Sequence, residues 1–266
     1  MATCRPGSPT TCRRWDPRPP RPEAYPAAVE ETETVERVAG VCGELVLRRR
    51  GEHHEIVANG TFLMDTRGGT SERLLVTAAA DHMPAPGRIM IGGLGVGFSL
   101  AAALAHPGVS EVHVVEREPA VVRWNSGPLA PVHGDALRDP RVRVHVDDVV
   151  AWLEGAAPAS LDAVCLDVDN GPDWLVTPDN ARLYSDAGLA ALVRVLAPGG
   201  VLAVWSAQPA PAFEARMRLH LDEVEVVEVA AGTAQPDVVL LGRRPLESVR
   251  IELRRSDPGR CLLPGW

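Results

Sequence analysis

The chain has 266 residues, 45% of them hydrophobic, and a formal net charge of −8. This length and composition suffice for one sizeable hydrophobic core. The excess of acidic residues disfavours a surface that grips phosphate backbones, so nucleic acid is not an expected partner. The five cysteines are scattered, with no Cys-x-x-Cys pair. They predict neither a disulfide framework nor a metal site, and they fit a reducing cytoplasm.

Residues 1–30 predict a disordered tail. They are rich in Pro and Arg and contain few aliphatic residues, so they would bury too little apolar surface to offset the entropy of ordering. The start lacks the apolar segment of a secretory signal. The longest uncharged run, 89–105, is broken by glycines and closed by Pro107. We interpret that run as a strand, a glycine turn and a helix, and we expect no membrane span and a cytoplasmic location.

Residues 31–84 predict a small N-terminal β unit. Short runs rich in β-branched and apolar residues occupy 43–47, 55–58 and 61–65. Asn59-Gly60 separates the last two runs, and this dipeptide between such runs is a strong signal for a β-hairpin.

From 85 to 245 the patterns of strands and helices alternate. Strands are predicted at 88–91, 111–115, 141–146, 163–166 and 201–205, and helices near 98–105, 119–124, 149–153, 186–196 and 211–220. Two final strand-like runs, 224–229 and 237–241, predict a closing antiparallel hairpin, and 246–266 form a C-terminal extension. This order predicts an α/β fold with a Rossmann-like, doubly wound, seven-stranded sheet.

Three glycines follow the first strand of this domain. Gly93, Gly95 and Gly97 stand where a strand turns sharply into a helix and where a ligand can approach the backbone. The fingerprint for a nicotinamide dinucleotide requires a further glycine where Phe98 stands. The loop therefore favours another nucleoside ligand.

Acidic residues end the next three strands. Glu116 lies about twenty residues beyond the glycine loop, where a carboxylate can accept both ribose hydroxyls. Asp147-Asp148 could meet an adenine amino group, and Asp167 ends the fourth strand. Because the carboxyl ends of parallel strands share one edge, we expect these side chains to converge with Gly93 in one crevice. A structural alternative remains for each residue: tight packing for the glycines, and helix capping for Glu116 and Asp147-Asp148.

With these motifs, the chain resembles the spermidine and spermine synthase family of aminopropyltransferases, which share the class I methyltransferase fold. The likeness covers roughly residues 35–245. It is carried by Asn59-Gly60, the glycine loop, Val115-Glu116, residues 143–153, residues 161–167, Leu183-Tyr184-Ser185 and residues 196–202.

The resemblance implies a role for each acidic residue. Glu116 would bind the ribose of a methionine-derived sulfonium nucleoside, and Asp148, with Asp147 beside it, would bind the adenine. Asp167 would be the base that takes a proton from an attacking amine. The resemblance also implies a homodimer.

The chain departs from the family pattern at the substrate side. The family usually carries Asp where Gly95 stands and a second acidic residue where Asn170 stands, and a helical Phe-Tyr pair has become Gly188-Leu189. We count Asn170 as a substrate residue, and also Tyr184, which either walls the substrate pocket or covers a helix start. Gly95 would not repel a carboxylate on the donor, which makes ordinary S-adenosylmethionine plausible.

The leading hypothesis is a spermidine synthase-like transferase in polyamine biosynthesis. It would move an aminopropyl group from decarboxylated S-adenosylmethionine to a small-molecule amine, with Asp167 as base and without a metal. One alternative is a methyltransferase that uses S-adenosylmethionine. The other is a non-catalytic binding protein with the same fold.

Overall fold

The computed structural model describes residues 31–175, 177–230 and 236–246. The predicted tail at 1–30 lies outside these ranges, as does the predicted C-terminal extension beyond residue 246. The described residues from Thr32 onward belong to one compact unit. Within the described ranges, no helix combines the length and apolar character needed to cross a bilayer.

A small antiparallel sheet precedes the main sheet. Its strands, in spatial order, are β1 (Thr32–Gly40), β2 (Gly43–Arg50), β3 (His53–Ala58) and β4 (Thr61–Asp65). Asn59 and Gly60 both have positive φ, 50° and 79°, as a type I′ turn requires, so the predicted hairpin is confirmed. The Asn59 side chain also accepts a hydrogen bond from the Glu44 N–H at 2.9 Å. The sequence interpretation missed β1, an edge strand whose side chains are mostly exposed.

The main sheet has seven strands, as predicted. They are β5 (Gly87–Gly92), β6 (Val109–Glu116), β7 (Val142–Val146), β8 (Leu161–Leu166), β9 (Leu196–Ser206), β10 (Asp222–Val229) and β11 (Asp237–Arg243). Their spatial order is β10-β11-β9-β8-β5-β6-β7. The strands β5 to β9 are parallel, and β10 and β11 form the predicted closing antiparallel hairpin. The start of β11 therefore lies at the same edge as the carboxyl ends of the parallel strands.

Helices cover both faces of the main sheet. They are α1 (Thr70–His82), α2 (Phe98–Ala105), α3 (Pro119–Asn125), α4 (Val149–Gly155), α5 (Asp186–Val195) and α6 (Pro211–His220). One core cluster joins α1, α2 and α3 to one face of the sheet, and a second joins α4, α5 and α6 to the other. Alternation within β5 shows the division, because Ile89 and Ile91 belong to the first cluster and Met90 to the second. The fold is therefore doubly wound, as predicted.

Helix α1 was not predicted from the sequence. It begins after Gly69, which has a φ of 96° and offers no side-chain cap; the Ser71 hydroxyl in its first turn contacts Asp237 instead. Leu75, Val76 and Ala79 are fully buried, and the helix contacts β9 and β11. Its first turn consequently stands above the carboxyl edge of the main sheet.

The small sheet is attached to the main sheet next to the glycine loop. The Glu118 carboxylate accepts hydrogen bonds from the backbone N–H groups of Val41 and Cys42 at 2.9–3.2 Å. The indole N–H of Trp124 donates to the Glu36 carboxylate at 2.5 Å. These contacts hold the small sheet over α3. Strand β4 of the small sheet forms one wall of a cleft.

Candidate active site

A cleft of about 670 Å³ opens at the carboxyl edge of the main sheet. Both sheets and the first turn of α1 contribute to its wall. Of the residues predicted as functional, the wall contains Gly93, Gly95, Glu116, Asp148, Asp167 and Asn170. Tertiary structure thus brings together residues that are far apart in the chain.

The glycine loop lies against the end of β8. Gly93 has a φ of 91°, and a Cβ at this position would overlap the backbone carbonyl oxygen of Asp167. Only glycine allows this approach. Gly97 also has a φ of 91°, but it is the N-cap of α2 and lies outside the cleft wall.

Gly95 contacts the small sheet. A Cβ at Gly95 would overlap the thioether of Met64, the penultimate residue of β4. The space that a side chain at position 95 would need is therefore filled by an uncharged sulfur atom. Below the loop, the Asn125 amide donates to the Gly95 carbonyl at 2.8 Å, which fixes the loop to α3.

Glu116 is almost completely buried, with 8% of its surface exposed. Its carboxylate accepts hydrogen bonds from the backbone N–H of Leu94 at 2.9 Å and of Glu118 at 2.8 Å. Burial raises the pKa of Glu116, and these N–H groups oppose the rise. Each carboxylate oxygen has a second lone pair. Glu116 can therefore order the glycine loop and still accept hydrogen bonds from a ligand in the cleft.

Asp148 has two roles in the local structure. It is the N-cap of α4 and accepts hydrogen bonds from the backbone N–H groups of Val150 and Ala151 at 3.0 and 3.2 Å. It also lines the cleft, about 4 Å from the guanidinium of Arg117. Asp147 is exposed, lies outside the cleft wall, and accepts a hydrogen bond from the Asp148 N–H at 2.8 Å.

Asp167 lies directly after β8, between the glycine loop that follows β5 and the carboxyl end of β9. Its carboxylate accepts a hydrogen bond from the Ser99 hydroxyl at 3.3 Å. Burial raises the pKa of Asp167 to about 7, and the negative charge of Glu72 adds to the rise. Asp237 makes a smaller contribution in the same direction, against the lowering by Ser99. A carboxylate with this pKa can accept a proton near neutral pH.

Glu72 and Asp237 are two acidic residues of the cleft wall that sequence reasoning missed. The Ser71 hydroxyl lies 2.8 Å from the Asp237 carboxylate and 3.0 Å from that of Glu72. Glu72 was missed because α1 was missed. Asp237 had a signal in the sequence, because it begins a predicted strand and alternates with buried Val239. Among the described residues, no group of His, Cys, Asp and Glu side chains is arranged to hold a metal ion.

Of the two predicted substrate residues, only Asn170 lies in the cleft wall. Tyr184 is buried, with 3% exposed, and its hydroxyl donates to the Val168 carbonyl at 2.7 Å. Its ring packs edge-on against Phe213. Tyr184 thus supports the loop after β8 from behind, and it lies outside the cleft wall.

Comparisons with known proteins bear on this cleft. A family model described as the spermine/spermidine synthase domain matches residues 70–239, which is more than half of the chain. A polyamine aminopropyltransferase from Mycobacterium tuberculosis (strain ATCC 25618 / H37Rv) is 36% identical over 170 residues. That alignment covers 62% of this chain and 31% of the relative, so the chain spans less than a third of that protein's length.

Solved structures share the fold at low identity. The crystal structure of spermidine synthase from Thermotoga maritima gives a TM-score of 0.67 at 13% identity, and covers 81% of this chain and 74% of that chain. A spermidine synthase in complex with the transition state analogue AdoDATO gives a TM-score of 0.68, also at 13% identity, over 81% and 75% of the two chains. At this identity the likeness shows the common fold and not a common substrate.

Proposed function

Because the chain belongs to the spermine/spermidine synthase family, we propose that it is a transferase that moves an aminopropyl group from decarboxylated S-adenosylmethionine to an amine. Its co-substrate would lie along the glycine loop, with Glu116 at the ribose and Asp148 at the adenine. The acceptor amine would lie beyond Asp167.

The position and pKa of Asp167 carry this proposal. The residue lines the cleft next to the glycine loop, with its backbone against Gly93. Its pKa of about 7 suits a base at neutral pH. A carboxylate with an ordinary pKa near 4 would be a weaker proton acceptor. The Ser99 hydroxyl lies 3.3 Å from the Asp167 carboxylate and 3.3 Å from the Glu72 carbonyl oxygen.

The reaction needs a base, but no acid at the leaving group. The amine nitrogen forms a bond to the carbon next to the positively charged sulfur, and the carbon–sulfur bond breaks with its electron pair moving to sulfur. The neutral thioether methylthioadenosine leaves without a proton. The proton lost by the amine moves to Asp167. Holding the two reactants in line supplies much of the rate.

The charges in the cleft favour the decarboxylated donor. Glu72, Asp167 and Asp237 all line the cleft, and the negative charges of Glu72 and Asp237 both raise the pKa of Asp167. They would repel the carboxylate of intact S-adenosylmethionine and attract the ammonium group of its decarboxylated form. The absence of a negative charge at Gly95, under Met64, and at Asn170 favours intact S-adenosylmethionine and methyl transfer.

A product assay distinguishes these functions. Purified protein is incubated with 1,4-diaminobutane and either donor, and the nucleoside product is separated. We expect methylthioadenosine from the decarboxylated donor, and a loss of about 10²–10⁴-fold in kcat for Asp167→Asn, because the base is removed while the shape is kept. Formation of S-adenosylhomocysteine from the intact donor would establish methyl transfer instead. Donor binding without any product would identify a non-catalytic binding protein.

A further inference from the structure

The order of strands divides the cleft at Asp167. The glycine loop, Glu116 and Asp148 follow β5, β6 and β7 on one side of β8, and we call this side the donor end. On the other side lie β9 and β11, which contribute Trp205 and Asp237 to the cleft wall. We call that side, with the first turn of α1 above it, the acceptor end.

The side chains of Asp167, Trp205 and Asp237 point to the same face of the sheet. Alternate residues of a strand share a face. The residues two positions from Asp167, Trp205 and Asp237 are Cys165, Ala203 and Val239, and all three belong to the core cluster beneath α1. In register, Asp167 lies level with Trp205 and Val239. Asp237 therefore lies two strand spacings across the sheet and two residues along it from Asp167, about 12 Å between the backbones, on the side of α1.

Glu72 and Asp237 form a pair of carboxylates without a cationic partner. The Ser71 hydroxyl is in hydrogen-bonding distance of both, at 3.0 and 2.8 Å, but its single proton serves one of them at a time. In the described part of the chain, neither carboxylate makes an ion pair with Lys, Arg or His. Two like charges in a partly buried position are unfavourable unless a cation binds.

An indole ring completes the acceptor end. Trp205 lines the same cleft as these carboxylates, and its N–H is buried and has no hydrogen-bond partner among the described residues. Val229 lines the same end. An apolar and aromatic wall next to carboxylates suits an alkyl chain that ends in an ammonium group.

We propose that Glu72 and Asp237 bind the ammonium group at the non-reacting end of the acceptor, while Asp167 receives the proton from the reacting end. This inference rests on the proposed function and adds the residues that select an acceptor with a second cationic group. The negative charge missing at Gly95 and Asn170 is then supplied from α1 and β11.

Binding measurements test these roles without requiring turnover. The protein is saturated with methylthioadenosine and titrated calorimetrically with 1,4-diaminobutane or with butylamine, which lacks the second ammonium group. We expect Glu72→Gln and Asp237→Asn each to weaken binding of the diamine about tenfold, as for loss of one charge-assisted hydrogen bond. Binding of butylamine should change less than about twofold. Asp81→Asn, an exposed position on the same helix that contacts His106, should change neither.

A pH profile provides a second readout. Removing the charge of Glu72 should lower the pKa of Asp167, so the acid limb of the kcat/KM profile should move to lower pH in Glu72→Gln. A residue with only a structural role would not move this limb. Thermal melting of both variants checks that they are folded.

Several results would overturn the inference: equal weakening of both amines, unchanged binding of the diamine in both variants, or no binding of the diamine by the wild-type protein. Failure of the proposed function would look different. In that case no thioether nucleoside would form with any amine, yet the selective loss of diamine binding would still identify Glu72 and Asp237 as an ammonium site.

Discussion

The donor end and the acceptor end of the cleft are built in different ways. At the donor end, backbone N–H groups close in sequence or at a strand end satisfy the carboxylates of Glu116 and Asp148. At the acceptor end, Glu72 and Asp237 share one hydroxyl, and residues 166 positions apart in the chain make the contact between Ser71 and Asp237. The carboxylates of the donor end thus have hydrogen-bond donors before a ligand binds. The two carboxylates of the acceptor end have no cationic partner among the described residues.

This difference has opposite consequences for stability. A donor-end carboxylate accepts hydrogen bonds from buried groups, so its removal should destabilise the fold. An acceptor-end carboxylate faces other negative charges, so its neutralisation should stabilise the fold and impair function. Three predictions test the comparison, beginning with the largest expected change in stability.

Substitution of Gly93 in the glycine loop should cause the largest loss of stability. Gly93→Ala places a Cβ against the backbone of Asp167 at a φ of 91°, and should lower the free energy of unfolding by about 3 kcal/mol or more. Gly95→Ala is the matched control, because its Cβ meets only the flexible side chain of Met64 at a φ of 53°. It should cost about 1 kcal/mol. Urea denaturation measures both, and equal effects would contradict the distinction.

Removal of the Glu116 side chain should cost both stability and donor affinity. Glu116→Ala leaves the N–H groups of Leu94 and Glu118 without their acceptor, which we expect to lower the free energy of unfolding by about 2 kcal/mol. Calorimetry with methylthioadenosine should show at least tenfold weaker binding. If the protein keeps its stability and loses only affinity, Glu116 does not organise the loop.

Asp167→Asn should stabilise the protein in a pH-dependent way. The pKa of Asp167 is raised from 3.8 to about 7, so between these values the folded state holds a proton that the unfolded state has lost, and stability falls as pH rises. Asparagine removes this penalty. We expect Tm to rise by about 3 °C at pH 8, with the gain shrinking as pH falls from 7 to 4. A gain that is constant with pH would contradict the raised pKa.

The donor end was largely predictable because its signals are local. A glycine loop after an apolar strand and an acidic residue at the next strand end are readable from sequence, and Gly93, Glu116 and Asp148 all line the cleft. Asp147 and Tyr184 show the limit of such reasoning. Both lie in the expected segments, but Asp147 is exposed and Tyr184 is buried behind the wall. Position in a motif did not tell which way a side chain points.

The sequence by itself determined the alternation of strands and helices, the hairpin at Asn59-Gly60 and the strand ends at which a nucleoside can bind, because periodicity and turn chemistry act over a few residues. Only the tertiary structure decided the composition of the acceptor end. Strand order and the docking of α1 bring Glu72, Asp167 and Asp237 to one place, and the thioether of Met64 to Gly95. The pKa of a carboxyl group depends on burial and on nearby charges, so the raised pKa of Asp167 arises only when these distant segments have packed together.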